Sequence, residues 1–274
     1  MKKTILWILT VIITLSAAYY QRLTGPTHPK RVSVTLNDTI HKLKFVRSIA
    51  LDERSAVRLK IYDPSIQAKL YFKRLNTTEE YQSSDFSPEK DGYFAEIPQQ
   101  PAAGKLQYYI ELTDSKGTQV LFKEQNIVIR YKGGVPRFIL VPHVIIMFVA
   151  MLFSSLAGLM ALVKVPQYKK YALWTLLLLT AGGMILGPVV QLYAFGDLWT
   201  GVPFGWDLTD NKTLIAFLFW ILAVFMNWKT DKPFYTILAA SVLLLVYSIP
   251  HSLFGSELDY ASGKVTQGMI SIFF

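Results

Sequence analysis

The stretch GGMILGPVVQLYAFGDLWTGVPFGWDLTDNK, residues 182–212, decides the fold of this chain. It begins in an apolar segment, continues into a loop of aromatic residues and glycines, and ends in acidic residues before the next apolar segment. Apolar runs of this length predict membrane-spanning helices, and glycine with proline predicts a turn between them. We therefore expect two membrane helices joined by a structured loop at residues 196–212.

Four apolar segments surround this loop, two on each side of it. Each is about long enough to cross a hydrocarbon core of about 30 Å, the third only with help from its flanking residues. They occupy residues 138–163, 171–195, 213–228 and 234–249. Residues 138–252 are accordingly predicted to form a C-terminal four-helix transmembrane bundle.

The N-terminus carries a further apolar segment, MKKTILWILTVIITLSAAYY, in residues 1–20. A short basic start and an apolar run of about 17 residues are typical of a transmembrane anchor or of a signal peptide. A Ser-Ala-Ala sequence ending at Ala18 resembles a cleavage site, which leaves both alternatives open. In either case Lys2 and Lys3 are expected to stay in the cytoplasm, and the residues that follow are exported.

Residues 31–132 show a different pattern, in which apolar and polar positions alternate. An alternation with period two predicts half-buried β-strands. Six to eight such strands in about 100 residues, without a helical pattern, predict an all-β, immunoglobulin-like sandwich. The apolar positions that define the pattern are Val57, Leu59, Ile61, Ala68, Leu70, Phe72, Leu106, Tyr108, Ile110 and Leu112.

The charge distribution predicts the orientation of the chain. Its formal net charge is +9, but the basic residues form no stripe, which argues against binding to nucleic acid. Lysines cluster in the loops 164–170 and 229–232, whereas loop 196–212 holds three aspartates and one lysine. Lysine-rich loops stay in the cytoplasm. The sandwich, the aromatic loop and the tail 253–274 are therefore expected on the periplasmic side of a bacterial cytoplasmic (inner) membrane.

The composition limits the chemistry that the chain can perform. Its mean hydropathy of +0.32 and its hydrophobic content of 52% indicate a membrane region beside a polar exported region. The absence of cysteine excludes disulfides, thiolate metal sites and cysteine nucleophiles. Neither a phosphate-binding glycine motif nor a nucleophile elbow is present, so we assign no catalytic residue.

Two glycines form a GxxxG pair near the end of the second bundle segment. Gly183 and Gly187 have this spacing, and Pro188 follows directly. Small residues at this spacing let helices approach closely, and proline disturbs a helix. We expect close helix packing here, and the alternative is a kink that opens room for a bound group beneath the loop.

The aromatic residues of the loop, Trp199, Phe204 and Trp206, have two interpretations. Aromatic rings at a membrane edge often lie at headgroup depth as interfacial anchors. Alternatively, the rings form a lid over a lipid or a small molecule. In that case Gln191 and Asp259 are expected to be polar residues of the pocket at a similar depth.

Two histidines are expected at the periplasmic ends of their helices. His143 and His251 each follow a proline, and imidazole is a common ligand of haem and of divalent metals. They would form an axial pair for haem, or a divalent metal site completed by Asp207, Asp210 and Glu257. The alternative is that both imidazoles bond backbone carbonyls freed by their prolines, and that the loop residues around the aspartates cap the next helix.

Three stretches carry a resemblance to known families. DGYFAEIPQQPAAGKLQYYIELTDSKG, residues 91–117, resembles the strand, hairpin and Tyr-Tyr strand of fibronectin type III and immunoglobulin-like modules in exported bacterial proteins. An anchor followed by TGPTHP at 24–29, a sandwich, a bundle and PHSLFGSELDY at 250–260 resembles a family of bacterial multi-span envelope proteins with such an exported domain. The resemblance implies a fold and a location, but no activity and no site residue.

These patterns support three hypotheses about function. The first is an accessory component of an envelope complex that docks a periplasmic protein partner and has a polar pocket on the exported side of its bundle. The second is a redox subunit that binds haem or metal through His143 and His251. The third is a binder of lipid or small solutes under the aromatic loop. The polar half of the tail is expected to fold back onto the sandwich, and residues 269–274 to be buried in a partner or at the bilayer edge.

Overall fold

The computed structural model describes residues 2–250, 253 and 255–267, and it combines helices with β-sheets. The chain divides into a helical unit and a strand-rich unit. The helical unit comprises Met1–Pro26 and Val135–Gly255, and the strand-rich unit comprises Thr27–Gly134 and Ser256–Thr266. Each unit is therefore built from more than one part of the chain.

The helical unit contains long apolar helices. Four of them, beginning at Lys3, Arg137, Tyr168 and Leu208, are long and apolar enough to cross a membrane. The last helix has 16 residues, which gives a length of about 24 Å and falls short of a core of about 30 Å. The bounds are α1 Lys2–Thr24, α2 Arg137–Leu162, α3 Tyr168–Leu178, a π-helical segment Leu179–Leu186, α4 Gly187–Phe195, α5 Leu208–Met226 and α6 Pro233–Ser248.

Small residues and one large ring form the core of the helical unit. Trp220 of α5 is fully buried, and alanines from α2, α3, α5 and α6 surround it. Alanine at a helix interface lets backbones approach closely, which is the usual packing mode of membrane helices. The small members of this core are Ala150, Ala157, Ala172, Ala216, Ala223 and Ala239.

The π-helical segment lies where the sequence predicts close packing. A side chain added at Gly182 would come within 2.8 Å of Ile146 on α2, and one added at Gly183 within 2.9 Å of Thr213 on α5. Close packing is thus confirmed at Gly183 and at its neighbour Gly182, whereas a Cβ at Gly187, the other member of the predicted GxxxG pair, would meet only ordinary contacts at 3.6 Å and 3.9 Å. Pro188 lacks a backbone N–H, and the preceding residues adopt wider hydrogen bonding, as in the bond from the N–H of Gly187 to the carbonyl of Gly182.

The strand-rich unit contains several short sheets. The bounds of its strands are β1 Lys30–Leu36, β2 Thr39–Phe45, β3 Ser48–Ala50, β4 Ala56–Leu59, β5 Gln67–Arg74, β6 Gln82–Asp85, β7 Ser87–Glu89, β8 Gly92–Glu96, β9 Lys105–Asp114, β10 Gly117–Leu121, β11 Ile127–Lys132, β12 Ser256–Leu258 and β13 Val265–Gln267. β4, β8 and β7 form one sheet in this order, and β3, β11, β9, β5 and β6 form another, in which β10 also pairs with β9. β3 runs parallel to β11, whereas β9 is antiparallel to β5, β10 and β11.

The predicted alternation holds along the central strands. On β9, the side chains of Leu106, Tyr108, Ile110 and Leu112 are buried, and Gln107 and Glu111 between them are partly exposed, whereas Tyr109 is also buried. The first four side chains share one core with residues from β1, β2, β3, β4, β5, β8 and β11. The period-two pattern therefore identified the inward face of the strands correctly, because one face of each strand packs on a common apolar core.

The short segment after α6 returns to the strand-rich unit. Glu257 of β12 forms an ion pair with Lys105 of β9 at 2.7 Å. Arg130 of β11 donates a hydrogen bond of 2.8 Å to the carbonyl of Ser256, and the hydroxyl of Tyr260 accepts one of 3.0 Å from the backbone N–H of Lys105. The prediction that the polar half of the tail folds back onto the strands is confirmed. Residues 269–274 lie outside the described residues.

Candidate functional site

The loop between α4 and α5 is held by backbone hydrogen bonds. Gly196 ends α4 with a left-handed backbone, at φ 93°, and the carbonyl of Gly201 accepts bonds of 2.9 Å from the N–H groups of Phe204 and Gly205. A side chain at Gly201 would come within 2.7 Å of Asp210. The loop therefore lies directly against the first turns of α5 and has a defined conformation.

Side chains from the start of α5 fix this loop. Asp207 caps the helix, since its carboxylate accepts bonds from the N–H groups of Thr209 at 2.7 Å and Asp210 at 3.3 Å. Asp210 accepts a bond of 2.7 Å from the N–H of Thr200, and Asn211 accepts one of 2.8 Å from that of Val202. The predicted capping role is confirmed, and both aspartates bond backbone amides of α5 or of the loop.

The aromatic rings of the loop point outward. Phe204 is 81% exposed and Trp206 is 74% exposed. Trp199 is half-buried and donates a bond of 3.1 Å to the carbonyl of Val202 in its own loop. Gln191 donates a bond of 2.6 Å to the hydroxyl of Thr200, so it supports the loop from α4. None of these four side chains lines the cavity described below.

The remaining residues of the predicted site belong to the strand-rich unit or lie outside the described residues. Glu257 and Asp259 belong to the strand-rich unit. Asp259 organises the turn after β12, accepting bonds from the N–H of Ala261 at 2.9 Å and the hydroxyl of Ser262 at 2.7 Å, and these bonds hold its pKa below the ordinary value. His251 lies outside the described residues, so the haem and metal pairs that involve it stay predictions.

His143 of α2 contacts the π-helical segment. Its Nδ1 lies 2.9 Å from the carbonyl oxygen of Gly182. Because a carbonyl oxygen only accepts, Nδ1 carries the proton and donates it. The alternative interpretation expected a bond to a carbonyl freed by the preceding proline, whereas the acceptor lies on another helix. Within the described ranges, no group of three or more His, Asp or Glu residues is arranged to hold a metal ion.

A buried lysine that the sequence interpretation assigned to the loop lies inside the helical unit. Lys212 is 5% exposed, and its Nζ donates a bond of 2.8 Å to the carbonyl of Ile249, directly after α6. We expected the third bundle helix to begin at residue 213, but the Asp207 cap starts α5 at Leu208. The signal that locates Lys212 is therefore the cap, because it places this lysine in the second turn of a helix that is long and apolar enough to cross a membrane.

A small cavity lies beside Lys212. Its volume is about 20 Å³, which is sufficient for about one water molecule or one oxygen-sized group. Its wall is almost entirely apolar, and Met147, Leu179 and Leu243 are among its apolar members; Gln21, Lys212, Thr213 and Tyr247 also line it. The lining residues come from α1, α2, the π-helical segment, α5 and α6.

A second surface that sequence reasoning missed lies on the strand-rich unit. The rings of Tyr71 and Tyr109 stack with centroids 4.8 Å apart and planes at 6°, and Tyr81 meets Tyr109 edge-on at 5.1 Å. Three lysines lie over these rings, and we call the whole set the tyrosine–lysine face: Tyr71, Tyr81, Tyr109, Lys69, Lys73 and Lys123. The signal was present in the outward positions of β5 and β9, which carry tyrosine where a solvated strand usually carries small polar residues.

Hydrogen bonds hold the tyrosine–lysine face in place. The Tyr81 hydroxyl accepts a bond of 2.8 Å from Gln107 and donates one to Asn126. A hydrogen bond with Glu111, together with burial, raises the pKa of Tyr71 above its ordinary value. The Tyr71 hydroxyl therefore stays protonated at neutral pH and acts as a neutral donor or acceptor.

Comparisons of this chain with protein-family models, with curated proteins and with solved structures found no match.

Proposed function

We propose that this protein is a membrane-anchored docking component of the bacterial cytoplasmic membrane. In this proposal the periplasmic domain is an immunoglobulin-like sandwich that binds an acidic segment of a protein partner. The tyrosine–lysine face is the observation that carries the proposal. The helices anchor the domain, and the reaction, if any, belongs to the partner.

The strand order supports the immunoglobulin-like assignment. Such domains consist of two sheets that enclose a core of alternating inward residues. Here β4–β8–β7 and β3–β11–β9–β5–β6 are separate sheets, and both contribute to one core, for example through Leu59 of β4 and Tyr108 of β9. The hairpins β1–β2 and β12–β13 are additions to this plan.

The tyrosine–lysine face has the properties of a protein-binding surface. Tyrosine is enriched in interfaces because it offers a large contact area and a polar group with few rotatable bonds. The stacking of Tyr71 on Tyr109 and the hydrogen bonds of Tyr81 fix these rings before a partner arrives. A fixed ring loses little conformational entropy on binding, which favours affinity.

The charges of the face favour an acidic partner. Asp85 lies 3.9 Å from Lys69 and partly offsets its charge. In the described part of the chain, neither Lys73 nor Lys123 has a carboxylate within ion-pair distance, and each ammonium lies over a tyrosine ring, at 5.0 Å and 5.9 Å. Together with Lys69 these lysines outnumber Asp85 and Glu111, the carboxylates beside the face, and positive charge beside aromatic rings complements a carboxylate-rich segment.

The membrane location is supported by the apolar helices, and the orientation by the lysines of the loops 164–170 and 229–232. We further propose that α1 is retained as an anchor. Leu6 and Thr10 are buried within the helical unit, and the ring of Trp7 contacts that of Tyr171 at 5.9 Å. Removal of α1 would expose these packed surfaces.

Site-specific photo-cross-linking in native membranes tests the docking proposal. A photoreactive phenylalanine at Ser83 reports on the tyrosine–lysine face, since Ser83 pairs with Tyr71 in the sheet, and one at Arg58 reports on the other sheet. We expect a partner to be captured from Ser83 but not from Arg58. Its cross-linked peptide should be rich in Asp and Glu, and capture should weaken as the salt concentration rises.

Charge reversal supplies the matched control. The double variant Lys73→Glu/Lys123→Glu should abolish capture, because it places carboxylates against the acidic segment. The variant Lys60→Glu/Lys90→Glu changes two exposed lysines elsewhere in the same unit and should leave capture unchanged. Equal capture from both positions, or capture that survives the first double variant, would overturn the proposal.

A further inference from the structure

We propose that the cavity beside Lys212 binds the anionic group of an amphipathic molecule, a phosphate or a carboxylate, whose apolar part lies along the helices. This inference concerns the helical unit alone and does not depend on the docking proposal. It rests on the burial of Lys212, on its unfilled hydrogen-bonding capacity and on the composition of the cavity wall.

The ammonium group of Lys212 has more donors than the protein satisfies. An ammonium carries three N–H donors. Among the described residues, the carbonyl of Ile249 is the one acceptor of a hydrogen bond from Nζ, and no carboxylate lies within ion-pair distance. A charged group buried in a membrane helix needs a partner. Two donors are therefore available to an oxygen that is not part of the described chain.

The carboxylate of Asp207 already serves as the N-cap of α5. Asp207 lies on the same helix and attracts Lys212 electrostatically, but its carboxylate caps α5 by accepting from the N–H groups of Thr209 and Asp210. Asp210 is turned to the loop through its bonds with Thr200. Both carboxylates are therefore engaged by backbone amides of the loop or of α5, and neither accepts a hydrogen bond from Lys212.

The cavity wall indicates what accompanies the anionic group. A volume of about 20 Å³ admits one oxygen-sized group, so only an oxygen of the head enters and the rest of the molecule lies outside. The side chain of Gln21, which also lines the cavity, makes no hydrogen bond with other described residues, so its amide group offers a second donor. The apolar side chains of Met147, Leu179 and Leu243 form the remaining wall, which suits a molecule with an apolar part.

A purely structural role of Lys212 would not account for the cavity beside it or for its remaining N–H donors. Through its bond to Ile249, Lys212 ties α5 to the end of α6, where a cation is favourable. This bond uses one donor and needs no cavity. If capping were the whole role, replacement of Lys212 would lower stability equally with and without an anionic ligand, and this difference makes the two roles separable.

Binding of defined probes to the full-length protein in nonionic detergent tests the proposal. The probes are oleate, dioleoylphosphatidylglycerol, inorganic phosphate and the uncharged dioleoylglycerol, with native mass spectrometry and melting temperature as readouts. We expect phosphatidylglycerol to bind at least about tenfold more tightly than dioleoylglycerol, in line with a charge-assisted hydrogen bond. Stabilisation by inorganic phosphate equal to that by the lipids would identify a free anion as the ligand, whereas stabilisation by lipids alone would identify a lipid.

Four variants complete the test. Lys212→Met should reduce the preference for the anionic lipid to within about twofold, while Lys212→Arg and the exposed control Lys229→Met should keep it. Val246→Phe fills the edge of the cavity, where Val246 is a lining residue, and should abolish the preference with Lys212 intact, which keeps the test valid if Lys212→Met does not fold. Unchanged preference in Lys212→Met or Val246→Phe, or no preference in the unmodified protein, would overturn the proposal.

Discussion

The polar side chains of the two units bond different kinds of groups. In the strand-rich unit, side chains often bond other side chains: Arg54 bridges Glu89 and Glu96, and Tyr81 bonds Gln107. In the helical unit, the polar side chains near the loop mostly bond the backbone: His143 bonds a carbonyl of the π-helical segment, Lys212 the residue after α6, and Asp210 and Asn211 the loop.

This difference follows from the backbone of each unit. In paired strands the backbone groups satisfy one another, so side chains on the outer face are available for one another. In an apolar medium every break in a helix exposes backbone groups that need partners. The polar side chains around the π-helical segment and the loop therefore bond backbone groups, whereas side chains such as Arg54 and Tyr81 of the strand-rich unit bond other side chains.

We expect the largest loss of stability from breaking the Lys105–Glu257 pair, because it is a shielded ion pair within the strand-rich unit. Both side chains are largely buried, and burial lowers the pKa of Lys105 although Glu257 opposes this effect. Glu257→Ala leaves a shielded ammonium without its carboxylate and should reduce the free energy of unfolding of this unit by about 3 kcal/mol. The measurement is denaturation of the full-length protein in detergent, followed by the β-sheet circular dichroism signal.

A matched control separates burial from charge. Glu124 is exposed, and Glu124→Ala removes the same charge, so it should change the free energy of unfolding by less than about 0.5 kcal/mol. The helical signal should be unaffected by either variant if the pair acts within the strand-rich unit. Equal effects of both variants would show that the pair is not shielded in solution.

A substitution at a glycine of the π-helical segment tests the packing of the helical unit. Gly183→Val adds carbon atoms where even a Cβ would lie 2.9 Å from Thr213, so α5 must move. Overpacking of this kind costs about 1–3 kcal/mol, measured as a lower midpoint of helical unfolding in detergent. Ile185→Val is the control, since Ile185 is exposed on the same segment. An unchanged midpoint in Gly183→Val would mean that the two helices do not touch there.

Sequence patterns predicted the core of the strand-rich unit better than its surface. The alternation at Leu106, Tyr108 and Ile110 identified the core, because period two follows directly from strand geometry. It did not reveal the tyrosine–lysine face, because Tyr71 and Tyr109 come together through the register of β5 and β9. Register depends on the whole sheet and has no local signal.

In the helical unit, composition predicted the helices but not the partners of their polar residues. Apolar length is a local property, and it located the helices. Several residues were expected as possible caps of α5, and the structure places the cap at Asp207. Lys212 is therefore a buried residue of the helix and not a charged residue of the loop. The bond between His143 and Gly182 could not be predicted, because it joins α2 to a π-helical segment whose hydrogen bonding is irregular.

The cap of α5 allows a smaller test of the helical unit. Asp207→Ala removes the acceptor for the N–H groups of Thr209 and Asp210 and should destabilise the helical unit by about 1 kcal/mol. Asp207→Asn keeps an acceptor and should retain most of the stability, and Asp197→Asn in the exposed part of the loop serves as a control. If Asp207→Asn were as harmful as Asp207→Ala, the charge of Asp207 rather than its cap would stabilise the unit.

The smallest expected effect concerns acid stability in the strand-rich unit. Asp63 accepts hydrogen bonds from Ser65 and Asn37, and these bonds lower its pKa to about 2 from an ordinary value of 3.8. A lowered pKa in the folded state means that ionised Asp63 stabilises the fold above pH 3.8, and that this stabilisation is lost as the pH falls towards about 2.

Asp63→Asn should therefore flatten the decline in stability of the strand-rich unit between about pH 4 and pH 2, because its side chain cannot take up the proton. The measurement is the melting temperature of the β-sheet signal across this range, compared with Asp91→Asn at an exposed position, which should leave the decline as it is. The helical signal should respond to neither variant, since Asp63 bonds residues of the strand-rich unit. A decline that is equally steep in Asp63→Asn would show that the hydrogen bonds from Ser65 and Asn37 do not favour the ionised over the protonated carboxyl of Asp63.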